Sequence, residues 1–272
     1  MFRQKLLRDV IAVMEMPLLI DEALARGLQD YLRCRVIDFL GRHPGRLDRM
    51  IAPPEPRLPL GKWFERVFCS ILHIAFPFGS VAHSVSDGSG GELDFVVSEG
   101  RSLMHIECAV KFFLHNHLLG NGLEAYVGPA GRDRLDLKLK KMRDVQLKRS
   151  VPQAAGDFHS LTRVLWMSGR VHYRCKLGEL MSPGAVPADL MPGHMVGFYG
   201  AYEDVLPRLR QGSILYELPR PWWMTSVEGL PKRFMKFFEV FDPIISRSEP
   251  VMVVHVTSHD DGVCELERGF IL

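Results

Sequence analysis

The 272 residues, 47% hydrophobic and 24% charged, have the make-up of an ordinary globular chain with enough apolar material for a sizeable core. A net charge of +2 excludes a surface that is basic throughout, so any attraction to nucleic acid must come from a local patch. The length is more than one typical domain and less than two, which predicts a core domain with additions.

Cys34, Cys69, Cys108, Cys175 and Cys264 are scattered with no Cys-x-x-Cys pair, which argues against a zinc cluster or a disulfide framework. Reduced thiols in the cytoplasm are the expectation. Apolar patches between Met1 and Ile20 are interrupted by Asp9 and Glu15, so neither a signal peptide nor a membrane span is predicted there.

Asp21 is placed to cap a helix running from Glu22 to Leu40, where Leu24, Leu28, Leu32 and Val36 recur every four residues. Gly41 ends it. Pro53, Pro54, Pro56 and Pro59 then predict an extended linker and a boundary. Leu60 to Ala75 reads as a second helix, apolar at Trp63, Val67, Phe68, Ile71 and Leu72 and stopped by Pro77. Phe78 to Val85 suits a short strand. Asp87 to Gly91 is a glycine-rich turn without the spacing of a phosphate loop.

The next stretch is the most informative. Gly91-Glu92-Leu93-Asp94-Phe95-Val96-Val97 alternates with period two, and so does Ser102 to Lys111, which predicts a hairpin with its break at Ser98 to Arg101. Leu93, Phe95, Val97, Met104, Ile106, Cys108 and Val110 fall on one face; Glu92, Asp94, His105, Glu107 and Lys111 fall on the other. Pairing Val97 with Ser102 would set Glu92 directly across from Glu107, with Asp94 diagonal to it. Facing carboxylates repel, so they need a counter-charge or a proton. An all-oxygen set of this kind suits Mg²⁺ or Mn²⁺; a half-buried hairpin with a solvated outer face is the plainer alternative.

His115-Asn116-His117 follows among apolar residues, and structural histidines are expected there. Asn121 to Gly131 reads as a loop and Arg132 to Arg149 as a helix. Its apolar stripe, Leu135, Leu139 and Met142, is continued by Gln146, a side chain that needs hydrogen-bond partners in such a place. This helix carries eight basic residues against three acidic ones; Arg132, Arg134, Lys138 and Lys141 are candidates for contacts with a phosphate backbone. Strands are predicted at Leu161 to Ser168 and Val171 to Arg174, a helix at Lys232 to Phe241, and a buried strand at Val251 to Val256. Trp222-Trp223 is expected in a small second core.

Gly-Glu-Leu-Asp, a hairpin turn, then His-Ile-Glu-x-x-x-Lys resembles the signature of the PD-(D/E)XK nuclease superfamily, and most closely a bacterial group, the domain of unknown function 1853 family. The likeness extends through Leu60 to Glu65, Val127-Gly128-Pro129, Arg132 to Leu135 and Gln146-Leu147. It implies an α/β fold: a restriction-endonuclease-like core at 58–175 with a central mixed sheet flanked by helices, an N-terminal helical segment at 1–52, and a C-terminal α+β addition at 176–272. It further implies a Mg²⁺- or Mn²⁺-dependent nuclease acting on DNA ahead of RNA. Asp94 and Glu107 would bind metal, helped by Glu92 or Glu65, with Lys111 and Gln146 in catalytic roles. One departure stands out: the superfamily's usual lysine position is Ala109, and Lys111 lies roughly 7 Å further along the strand. A nuclease fold kept as a binding module without turnover is therefore the alternative.

Overall fold

The computed structural model describes residues 2–43, 45–51, 58–152, 158–181, 183–245, 247–259 and 262–272. In chain order its elements are helices α1 (Phe2–Glu15), α2 (Ala23–Arg42), α3 (Leu47–Met50) and α4 (Leu60–Ala75), then strands β1 (Ser80–Ser86), β2 (Glu92–Glu99), β3 (Ser102–His115) and β4 (Tyr126–Val127). Helix α5 (Leu135–Lys141) precedes β5 (Ser160–Lys176), β6 (Glu179–Leu180) and β7 (Met195–Gly200). The chain closes with α6 (Tyr202–Val205), β8 (Ile214–Glu217), α7 (Lys232–Met235), β9 (Val251–His259) and β10 (Gly262–Ile271). The class is α/β. The linker prolines Pro53, Pro54 and Pro56 lie outside the described residues.

Contacts group the chain into two compact units. The first comprises Phe2–Val110 and Leu137–Ser168, so the N-terminal helices belong with the hairpin. The second comprises Lys111–Asp136 and Gly169–Leu272, and strands β3 and β5 contribute to both.

In the first unit the strand order is β1-β2-β3-β5, and α4 packs against β1 and β2 while α1 and α2 pack on α4. The apolar stripe foreseen on α4 is buried at every position, from Trp63 to Leu72. Its Trp63 indole donates to Asp9 Oδ2 at 2.8 Å, and the Lys5 amine reaches the same oxygen at 2.5 Å, so the fully buried Asp9 is satisfied twice. Helix α2 starts one residue after Glu22, which makes no side-chain cap; Asp21 instead pairs with Arg26. Its buried row is Ala25, Leu28, Leu32 and Val36, while Leu24 faces solvent at 58% exposure.

The hairpin register departs from the expected one. Phe95 pairs with Ile106 and Glu99 with Ser102, a slide of two residues that removes Glu92 from its place opposite Glu107. The cause is a two-residue turn at Gly100-Arg101, where Gly100 takes φ +61° at the first central position, the type II′ geometry that suits strand twist.

The second unit carries a mixed sheet in the order β5-β7-β10-β9-β8: β5, β7 and β10 run parallel, and β9 is antiparallel to both its neighbours. Two strands expected around Gly169 are one continuous strand, because Gly169 at φ +150° takes a bend that L side chains rarely adopt. A Cβ there would collide with the Lys111 carbonyl oxygen. The helix expected over Lys232 to Phe241 is a single turn, Lys232–Met235. Trp222 and Trp223 are half-buried; Trp223 meets Phe270 and Phe112 edge-on, and Trp222 meets Phe238.

Candidate active site

The slide in register changes which acids meet. Pairing between β2 and β3 ends at Phe95 and Ile106, and just beyond it the Asp94 amide donates to Glu107 Oε1 at 3.4 Å. The Asp94 carboxylate in turn accepts from the Cys108 amide at 2.9 Å. Each acid therefore uses a backbone N–H that the ladder would otherwise have taken.

Glu107 is fully buried and held from three directions. Besides the Asp94 amide, His105 Nε2 lies 2.8 Å from its Oε1, and Gln146 Nε2 donates to its Oε2 at 2.6 Å. A carboxylate only accepts, so His105 carries a proton on Nε2. Its Nδ1, and the Oε1 of Gln146, are buried with no partner among the described residues.

Gln146 reaches Glu107 through an irregularity in its helix. The chain is α-helical only from Leu135 to Lys141, and Met142–Gln146 form a π-turn closed by the Leu147 amide on the Met142 carbonyl at 2.9 Å. Single π-turns inside helices recur at functional sites, where they re-aim side chains. The helix was expected to begin at Arg132, but Arg134 instead bridges Val127 as an isolated β-pair.

The electrostatics are strained. Burial first, then the neighbouring charge of Glu107, raises the Asp94 carboxyl from 3.8 to about 7; Glu65 adds to the rise, while the Cys108 amide and Lys138 oppose it. The Cys108 thiol is held well above its ordinary value by burial and by the carboxylates of Asp94, Glu65 and Glu107, so it stays protonated and is no nucleophile. Glu65, mostly buried on α4, accepts from the Lys62 amine at 2.7 Å. That amine is raised by its bond to Glu65, by Glu65's charge, and by the charges of Glu92 and Asp94.

The remaining expected residues are placed differently. Glu92 is exposed, and its carbonyl accepts from Arg149, which also faces the Asp87 carboxylate and so ties down the Asp87 to Gly91 turn. Lys111 belongs to the second unit, where its amine donates to Asp133 at 2.6 Å. Arg134 makes a bidentate pair with Asp136 at 2.7 and 2.9 Å. Arg132 and Lys141 are exposed, and Lys138 is half-buried. The clamp by Arg149 was not foreseen, because residues far apart in a charge run give no spacing signal.

A family model, a domain of unknown function (DUF1853), matches residues 12–272. The chain belongs to the DUF1853 family. The match takes in both compact units of this family member, including all the residues around Glu107. No curated protein and no solved structure matches it.

Among the described residues no group of three or more His, Cys, Asp or Glu side chains is arranged to hold a metal ion. The oxygen donors that are present still fit Mg²⁺, which usually takes one or two carboxylates and fills its other positions with water and substrate. Asp94 and Glu107 supply the two carboxylates, and the unpartnered Gln146 Oε1 supplies a buried acceptor beside them. No helix among the described residues is long and apolar enough to cross a membrane.

Proposed function

We propose that this family member is a metal-dependent phosphodiesterase with a restriction-endonuclease-like core, acting on nucleic acid, DNA ahead of RNA. The observation that supports it is the meeting of the half-buried Asp94 and the fully buried Glu107, whose charges oppose each other, at the point where the hairpin ladder opens. Two acids that raise each other's cost of ionisation in this way have no evident structural purpose unless a cation joins them.

Asp94 and Glu107 would hold Mg²⁺ or Mn²⁺, with Glu65 adding negative charge to the site. When bound, the divalent ion polarises the scissile phosphate and lowers the pKa of a water molecule. The chain's own residues do the positioning. His105 and Gln146 fix the two oxygens of Glu107, and the Cys108 amide fixes Asp94. Lys138 is the cation whose charge favours ionised Asp94, which gives it the electrostatic place that the sequence pattern assigned to Lys111. Exposed Lys141 and Arg132 offer charge to the phosphate backbone.

A second reading, a nuclease fold that binds nucleic acid without turnover, draws on Ala109, which is buried at the usual lysine position, and on Lys111, whose amine is taken by Asp133. One experiment separates the two. Purified protein is incubated with double-stranded DNA, single-stranded DNA and RNA, with Mg²⁺, Mn²⁺ or chelator. Metal-dependent cleavage that falls at least about 100-fold in Asp94→Ala is expected. Undiminished cleavage by that variant overturns the assignment, and a chelator-insensitive gel shift without cleavage selects the second reading.

A further inference from the structure

The second unit contains a cavity of about 420 Å³ whose lining includes His115, His117, Asn121, Arg174, Met181 and Pro183. Nothing in the carboxylate site uses these residues. Four of the six bring hydrogen-bond donors, and no carboxylate is among the residues that line the cavity.

His115 is only 6% exposed, and its ring is held between Tyr126 at 5.0 Å and Tyr173 at 5.5 Å. The Tyr199 hydroxyl donates to its backbone carbonyl at 2.6 Å, which fixes the residue at the end of β3. Neither ring nitrogen has a hydrogen-bond partner among the described residues. Neither nitrogen is among the buried polar atoms left without a partner, so the ring is packed by its faces and turns its polar edge to the open cavity, where a ligand can meet it. Burial first, then the charge of His117, lowers its pKa below the ordinary 6.5, so it enters neutral solution as an uncharged ring with one N–H to give.

Arg174 sets the sign of the charge that lines the cavity. Among the other arginines of this unit, Arg208 pairs with Glu267, Arg247 with Glu217 and Arg268 with Glu265, while Arg170 donates to the Val196 carbonyl. Arg174 has no acidic partner among the described residues, and its exposed guanidinium lines the cavity. A cation would be repelled there, which argues against reading His115 and His117 as a metal pair. An anion would be met by a guanidinium, two imidazoles and a carboxamide. That is more donor capacity than a single carboxylate uses, and it suits the three terminal oxygens of a phosphate.

We propose that this cavity is a binding site for a phosphate group, carried by a small phosphate monoester whose remaining atoms occupy the rest of the volume. The proposal is independent of any nuclease activity, since it draws on no residue of the carboxylate site.

Calorimetry on the full chain with chelator present tests it, using inorganic phosphate, ribose 5-phosphate and ribose as probes. Saturable binding of ribose 5-phosphate, weakened at least about tenfold in both Arg174→Ala and His117→Ala, is expected. Both side chains are exposed, so these variants keep the fold. Ribose should give no heat, and tighter binding of ribose 5-phosphate than of inorganic phosphate marks the monoester as the occupant. Equal or tighter binding of inorganic phosphate overturns the monoester. Absence of saturable binding by either phosphate overturns the site, as does binding unchanged in Arg174→Ala. A chelator-free titration in which Zn²⁺ binds and Arg174→Ala leaves its affinity intact, with both phosphates silent, makes it a metal site and overturns the proposal.

Discussion

Each compact unit buries an ionised cluster, and the two clusters are built on opposite terms. In the second unit Arg268, 2% exposed, grips Glu265 through Nε and Nη2 at 2.6 Å and spends its other protons on the carbonyls of Trp223 and Thr225 at 2.9 and 3.1 Å. Burial alone would raise the Glu265 carboxyl. The charge and hydrogen bonds of Arg268, with the Val227 amide and Ser226, outweigh that and bring it below its ordinary value. In the first unit Asp94 undergoes comparable burial but faces another acid, and its carboxyl climbs to about 7. One cluster is complete as it stands; the other is arranged as though a positive charge were still to come. Burial by itself distinguishes neither, and the sign of the nearest partner decides.

Removing the counter-charge from the complete cluster should do the most damage. Arg268→Leu strands the mostly buried Glu265 and removes the guanidinium bonds to the main-chain carbonyls of Trp223 and Thr225. A loss of about 3–5 kcal/mol is expected from urea unfolding at neutral pH. A loss under about 1 kcal/mol would mean the pair is not the structural anchor that its geometry implies.

The incomplete cluster should respond in the opposite direction. The Asp94 carboxyl is raised in the folded chain, so its favourable contribution is fully present below about pH 4 and is lost as pH rises through about 7. Metal-free protein should therefore lose stability between these limits, by an amount on the order of 2 kcal/mol. Asp94→Asn should flatten that slope and stabilise the metal-free chain at pH 8. Millimolar Mg²⁺ should restore stability to the unmodified protein at pH 8 and leave the Asn variant unchanged. A slope that persists in Asp94→Asn would assign it to another group.

The same contrast explains what the residue pattern disclosed and what it hid. Period-two alternation placed Asp94 and Glu107 on one face, and this follows from strand geometry alone. Their register did not, because it depends on whether Gly100 adopts a left-handed φ, a matter of two residues that alternation cannot see. Gln146 stood out as a polar break in an apolar stripe, yet its route to Glu107 runs through a π-turn that propensity does not encode. Helix α1 and strand β10 were missed; β10 hides because its middle residues, Cys264 to Glu267, are only half-buried and carry charge. Arg268 looked like any basic residue near a terminus. Only long-range packing identified its partners.

The smallest effect expected is also the most discriminating. Gln146→Leu removes the 2.6 Å bond to Glu107 Oε2, a charged acceptor, which by itself costs about 1.5–3 kcal/mol. It also removes a buried carbonyl oxygen that has no partner, and places an apolar side chain in line with Leu135, Leu139 and Met142. These two gains oppose the loss, so the net change in unfolding free energy should fall within about 1 kcal/mol of zero. If Gln146 serves to aim Glu107, cleavage should fall by at least about tenfold in a variant whose stability has scarcely moved. Equal losses in both would make Gln146 a packing residue, and unchanged cleavage would leave the aiming of Glu107 to His105 alone.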